Sequence, residues 1–263
     1  MGQSTNPLSD THVLVTRPAQ QASKLCNLIE HSGGKAIRFP AIEIIETTDD
    51  PTLRSIIEQI DEFDIAIFIS ANAVNCGIKL VQAQQIWPKS LKVAAVGKSS
   101  VKALDSWGLI ADIFPIEHFN SEALLSLEEM QNVDGKKIII FRGGVGRELL
   151  ADTLTKRGAV VKYANCYKRS MPKSNTNALL KLWEHDELDV IVTTSNEGLQ
   201  NLYNMVGEEG RKWLLNSPMI VVSERAVNLA EQLGFNSKPI VSAQASDEAI
   251  LNSLITWKST QNT

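Results

Sequence analysis

Two short segments carry the same polar groups in the same order. FISANAV, Phe68 to Val74, is an apolar run that meets Ser70 and Asn72; VTTSNEG, Val192 to Gly198, repeats the shape with Thr194, Ser195 and Asn196. Ser, Thr and Asn between a strand and a helix cap the helix by accepting its first N–H groups. The remaining free N–H groups at such an end favour an anion. Capping is the plain role of these residues, and anion binding is compatible with it. Ser99 and Ser100 after Gly97, and Ser223, open further helices in the same way.

Arginine supplies a flat, permanently charged fork that fits a carboxylate. Arg17 and Arg142 stand after matching apolar runs, where they could bind a substrate carboxylate or form an ion pair within the fold. Arg142 is the second residue of the most glycine-dense stretch, FRGGVGRE, in which Gly143 and Gly144 let backbone approach a ligand closely. A dinucleotide fingerprint would need a third glycine where Leu149 stands, after Gly144 and Gly146, and an acid after VVKYANCY; neither is present. The triphosphate motif GxxxxGK[ST] is absent too, so the stretch reads as a carboxylate or phosphate site of no special class, or as a tight turn. Tyr167, in NCYKRSMP, is followed by Lys168 and Arg169. A phenol keeps its proton at neutral pH and can both donate and accept. Tyr167 is therefore a candidate proton donor as well as a candidate interfacial aromatic on a linker strand.

Other chemistries find no support. The histidines His12, His31, His118 and His185 are scattered without HExxH, and Cys26, Cys76 and Cys166 form no CxxC, so no metal site is expected. No serine sits in GxSxG. The acidic clusters Asp61-Glu62-Asp64 and Asp186-Glu187-Asp189 precede strands and read as solvated connections. An odd number of widely spaced cysteines suits a reducing cytoplasm. A net charge of −4 gives no support to nucleic-acid binding, and no apolar run is long enough for a membrane span.

The elements that would position these groups alternate. The runs HVLVTR, IAIFIS, LKVAAVG, KKIIIFRG, DVIVTTS and PMIVVS are apolar and β-rich, and helix-like stretches follow them. This predicts an α/β protein with parallel strands buried on both faces. Landmarks recur at a spacing near 125. Arg17 answers to Arg142, Gly34 to Gly158, Ser70 to Thr194, Asn72 to Asn196, Gly108 to Gly234, and SEALLSL to DEAILNSL. The residues alone therefore suggest two similar, consecutive α/β halves. Ligands of open parallel sheets bind beyond the carboxyl ends of the strands, so the repeated polar groups are expected to line a cleft.

Taken together, LVTRPAQQ, FPAIEI, FISANAV, VAAVGKSSVKAL, NSEALLSL, FRGGVGRELLADTLTKRGAVV with CYKR, IVTTSNEGLQNL and IVVSERAVNLAEQLGF resemble the uroporphyrinogen-III synthase family in order and spacing, over roughly residues 12–255. The resemblance implies two parallel-sheet α/β lobes joined by two extended crossings, near FPAIEI and NCYKRS, with one lobe discontinuous. That lobe would take residues 12–40 and 170–255, and the inserted lobe 45–165. Residues 1–11 and 256–263 are expected to be flexible tails. The implied activity is a cofactor-independent lyase reaction of haem biosynthesis. Hydroxymethylbilane would close to uroporphyrinogen III with loss of water and inversion of the last pyrrole ring. The resemblance makes Tyr167 the proposed general acid, and the substrate's eight carboxylates suit the polar strand ends. It further implies a cytoplasmic monomer, with transient contact with the deaminase that supplies the substrate. One departure from the family pattern is that Ala226 stands where a hydroxyl is usual, and Ser223-Glu224 replaces Gly-Pro. The competing reading is a two-lobed, non-catalytic binding protein for a small anionic ligand.

Overall fold

The apolar runs pair in parallel in the computed structural model of the protein, which describes residues 6–144 and 148–261. Among the described residues there are ten strands. They are β1 (His12–Val15), β2 (Lys35–Arg38), β3 (Glu43–Glu46), β4 (Ile65–Phe68), β5 (Lys92–Ala95), β6 (Lys137–Gly143), β7 (Val160–Ser170), β8 (Val190–Val192), β9 (Met219–Val221) and β10 (Ile240–Val241). One sheet has the order β10-β9-β8-β1-β2 and the other β3-β7-β6-β4-β5. Met1–Glu43 with Ser170–Thr263 forms one compact unit, and Ile44–Arg169 forms the other.

Helices pack on both faces of each sheet because alternate residues of each strand point to opposite cores. In the unit spanning 44–169, Ala66, Phe68, Ile139 and Phe141 enter one core. Ile65, Ile67, Ile138 and Ile140 enter the other. In the discontinuous unit, Leu14, Ile191 and Val221 face one way; Val13, Val15, Val190, Val192 and Ile220 face the other.

The two sequence repeats are not the two units. β1 pairs with β8, 177 residues on at the His12–Asp189 hydrogen bond, rather than with β4 of its own half. β6 pairs with β4. Each sheet thus joins the opening strand–helix–strand of one repeat to the later strands of the other. The same latch fixes register in both: Asp64 Oδ2 accepts from the Lys137 amide at 2.8 Å, and Asp189 Oδ2 accepts from the His12 amide at 2.7 Å. The acidic clusters before β4 and β8 are therefore more than solvated connections, since one carboxylate in each ties neighbouring strands together. Gly33 and Gly158 share a left-handed backbone, at φ 87° and 88°, so Gly33 rather than Gly34 is the structural counterpart of Gly158.

The expected tails are folded where they are described. Leu8 is fully buried in the core that holds Leu25 and Ile29, and its amide donates to Ser32 O at 2.9 Å. The final helix runs Asp247–Gln261. Ile250, Leu254 and Trp257 lie on one stripe of it, and all three are buried. Helical spacing carries this apolar face past residue 255, which is why the chain stays packed beyond the expected boundary.

Candidate active site

Tyr167 lies near the carboxyl end of β7, where the pairing with β6 slips by one residue. Arg142 is opposite Asn165, but Gly143 is opposite Tyr167, leaving Cys166 as the extra residue. Such a bulge re-aims the side chains that follow it. The Cys166 thiol is buried and donates weakly to the carbonyls of Ala73 and Arg142, and its burial pushes its pKa far up. It is a packing group, as is Cys76, which burial pushes up to about 11. The ring of Tyr167 then packs directly against Gly143. A Cβ at that position would stand 2.3 Å from Cε2 and 2.4 Å from Cζ, so only glycine fits beside the phenol.

The tyrosine is 2% exposed. Its hydroxyl meets Ser70 Oγ at 3.1 Å. Ser70 follows β4 in extended backbone and caps the helix Ala71–Gln82, accepting from the Ala73 amide at 3.1 Å. Apolar β4 delivers Ser70 to the sheet end, and the sequence change from Phe68-Ile69 to Ser70-Ala71-Asn72 starts the helix there. Asn72 lies in that first turn, partly exposed.

Arg142 is 8% exposed and already has partners. Its Nε donates to Asn165 Oδ1 at 3.1 Å and one terminal nitrogen to Glu148 Oε1 at 3.1 Å. Its guanidinium lies over the Tyr163 ring, 3.7 Å from the centroid. Tyr163 in turn donates to Glu148 Oε2 at 2.5 Å. These bonds, from Tyr163 first and Arg142 second, hold the Glu148 carboxyl below its ordinary pKa. Burial, with that bond, pushes the Tyr163 phenol up to about 12. Gly144 has φ 49°; Gly146 lies outside the described residues. After β5, Gly97 occupies the cap position of the helix Lys98–Ser106. Ser99 is exposed there. Ser100 is 1% exposed, and its Oγ has no hydrogen-bond partner among the described residues. A buried hydroxyl in that condition is one that a ligand or water would satisfy.

The discontinuous unit repeats the pattern. Ser195 caps the helix Asn196–Met205, accepting from the Gly198 amide at 3.0 Å. It is therefore Ser195, not Thr194, that corresponds to Ser70. Thr194 stands half-buried before it, and Asn196 donates to Arg225 O at 3.2 Å. Ser223 occupies the cap position of the helix Glu224–Leu233 without a side-chain cap bond. Arg17 pairs with Asp247, the two side chains 12% and 15% exposed. Both arginines singled out by sequence thus hold carboxylates of the chain itself. Glu148, Tyr163, Asn165 and Asp247 were not singled out by the sequence reading. The acid six residues after Arg142 and the alternation Tyr163, Asn165, Tyr167 along one strand were the available signals.

In the unit spanning 44–169 the Tyr167 phenol thus meets Ser70 at one helix start and packs against Gly143, while Ser100 lies in the first turn of the helix that follows β5. A family model described as "Uroporphyrinogen-III synthase HemD" matches residues 23–252. The uroporphyrinogen-III synthase of Escherichia coli (strain K12) is 34% identical over 92% of this chain and 99% of its own. A protein of Methanothermobacter thermautotrophicus named as a putative uroporphyrinogen-III synthase is 30% identical over 75% of this chain and 79% of its own. Crystal structures of a mutant uroporphyrinogen III synthase from the extremely thermophilic bacterium Thermus thermophilus and of the enzyme from Helicobacter pylori 26695 share the fold. Their TM-scores are 0.60 and 0.58 at 15% identity, covering 95% and 94% of this chain and 99% of each of theirs. The chain belongs to the uroporphyrinogen-III synthase family.

Proposed function

We propose that the protein closes hydroxymethylbilane to uroporphyrinogen III, inverting the last pyrrole ring and releasing water, as a step of haem biosynthesis. The observation that supports this most strongly is family membership over residues 23–252, nearly the whole length of the chain. The non-catalytic alternative is not favoured, because relatives matched along almost their full length are named as the enzyme.

The chemistry asks for little beyond position and a proton. The substrate hydroxyl leaves as water once it is protonated, and the pyrrole nitrogen's electrons form an azafulvene. The substituted carbon of the last pyrrole attacks that carbon to form a spiro intermediate, which fragments and recloses with the ring turned over. The proton lost from the pyrrole carbon balances the one used to release water. No electrons change hands overall, so we read the reaction as cofactor-independent. Free substrate closes unaided to the uninverted isomer, so the protein must favour one transition state over another. In this reading Tyr167 is the general acid. In the unit spanning 44–169 the helix start at Ser99 and Ser100 receives a carboxylate, an exposed helix end contributing about 0.3–1 kcal/mol. Buried Ser100 Oγ, without a partner among the described residues, supports a ligand-facing role.

Among the described residues no helix is long and apolar enough to cross a membrane. The three free, buried cysteines fit the proposal of a cytoplasmic protein, and we further propose that it is a monomer that receives its unstable substrate from the deaminase. The test supplies purified protein with porphobilinogen and a deaminase, oxidises the products and separates the uroporphyrin isomers. Predominantly isomer III, against isomer I without the protein, is expected. Isomer I alone from folded protein would overturn the assignment. Tyr167→Phe is expected to lower turnover by about 10²-fold.

A further inference from the structure

A general acid must reach the atom that it protonates within hydrogen-bonding distance, or through one intervening group. Tyr167 is 2% exposed, and its hydroxyl is engaged by Ser70 Oγ at 3.1 Å. Ser70 is only partly buried. A serine hydroxyl has one proton to give and two lone pairs to fill. The Ala73 amide fills one lone pair. If the phenol donates to the other, every group in the chain is satisfied and the Ser70 proton alone is left to point outward.

We propose that Ser70 is the proton-delivering residue of the site and that Tyr167 acts through it. The proposal rests on the function given above. The Ser70 O–H gives its proton to the departing hydroxyl oxygen as the C–O bond breaks, and that oxygen leaves with the bonding pair as water. The phenol's proton moves to Ser70 Oγ in the same relay, leaving the negative charge on the tyrosine oxygen. The proton released from the pyrrole carbon after ring closure returns by the reverse path. Ser70 is suited to this because its oxygen sits at the N-terminus of the helix Ala71–Gln82, where the peptide dipoles and the Ala73 N–H favour negative charge passing through it. Burial of the phenol behind it keeps bulk water from the relay. The matching cap in the other unit, Ser195, makes the same bond to a backbone amide, but among the described residues its hydroxyl has no bond to a phenol. The duplicated serine therefore has different work in the two units.

The test separates capping from relay. Asn and Asp keep a cap acceptor for the Ala73 amide but carry no hydroxyl, whereas Thr keeps both. Ser70→Asn and Ser70→Asp, each checked for a wild-type-like unfolding temperature, are expected to lose about 10²-fold in kcat, with KM little changed for the uncharged Asn. Ser70→Thr is expected to restore turnover to within about 5-fold of wild type, by the same reasoning. A series relay also predicts that the double variant Ser70→Asn/Tyr167→Phe is no slower than the slower single variant by more than about 2-fold, because the second substitution removes nothing further. Wild-type kcat in either folded Asn or Asp variant would overturn the proposal, as would losses that multiply in the double variant. Failure of the functional reading is distinct from this, since the unsubstituted protein would then make no isomer III.

Discussion

Replacing Gly143 by alanine tests how the tyrosine is held. The position does not require a left-handed backbone, so the methyl group itself is the perturbation. It would lie 2.3 Å from one ring carbon of Tyr167 and 2.4 Å from another. Ordinary contact begins near 3.4 Å, so the ring must withdraw by about 1 Å. The bond from Tyr167 to Ser70 is 3.1 Å long and tolerates only about 0.4 Å of stretch before it is lost. Overpacking of this kind costs about 1–3 kcal/mol in stability, and the lost hydrogen bond about 1 kcal/mol more. The stiffer unfolded chain offsets less than about 1 kcal/mol. A displacement of about 1 Å at a catalytic group costs up to about 10²-fold in rate, so a fall in isomer III formation of at least about 10-fold is expected. Gly135→Ala is the control. It lies just before β6 rather than at its end, has φ 72° and has open space around its Cβ. Its left-handed backbone alone costs about 1–2 kcal/mol. Isomer formation and thermal unfolding are measured for both variants. Full turnover in Gly143→Ala, or an equal loss in Gly135→Ala, would refute the claim that this contact positions the phenol.

Three further outcomes follow from other contacts. Glu148→Gln removes a carboxylate whose folded pKa is depressed by Tyr163 and Arg142. Its stabilising contribution is complete above the ordinary value of 4.5 and fades as pH falls through the lower folded value. The variant's unfolding temperature is therefore expected to fall below wild type at pH 7 and to converge with it in acid. Arg17→Met leaves Asp247 largely enclosed without its partner. A loss approaching about 3–5 kcal/mol is expected in denaturant unfolding, most of it recovered by adding Asp247→Leu. Trp257→Ala, in a segment that sequence assigned to a tail, is expected to cost about 3 kcal/mol or somewhat more, because the ring is buried against the sheet's core. A change below about 0.5 kcal/mol would instead fit an unpacked terminus.

The sequence by itself determined the class of fold. Apolar, β-branched runs such as IAIF and KIIIF can bury both faces only in a parallel sheet covered by helices, and the hydroxyls after them start those helices whatever lies beyond. It also marked out candidate residues for chemistry, because Ser70, Arg142, Gly143 and Tyr167 differ in kind from the core around them. Pairing between distant strands was a tertiary decision. β1 can pair with either β4 or β8 on pattern alone, and the choice of β8 is made by packing and by the Asp189 latch across 177 positions. The same holds for the fate of charge. Arg17 and Arg142 read as forks for a substrate carboxylate, but folding brings Asp247 and Glu148 to them. Nor could spacing reveal that a bulge at Cys166 turns Tyr167 onto Gly143 and Ser70. Local pattern sets the elements because it acts through neighbours along the chain. The meeting of a phenol with a serine 97 residues earlier depends on register between strands, which only the assembled sheet fixes.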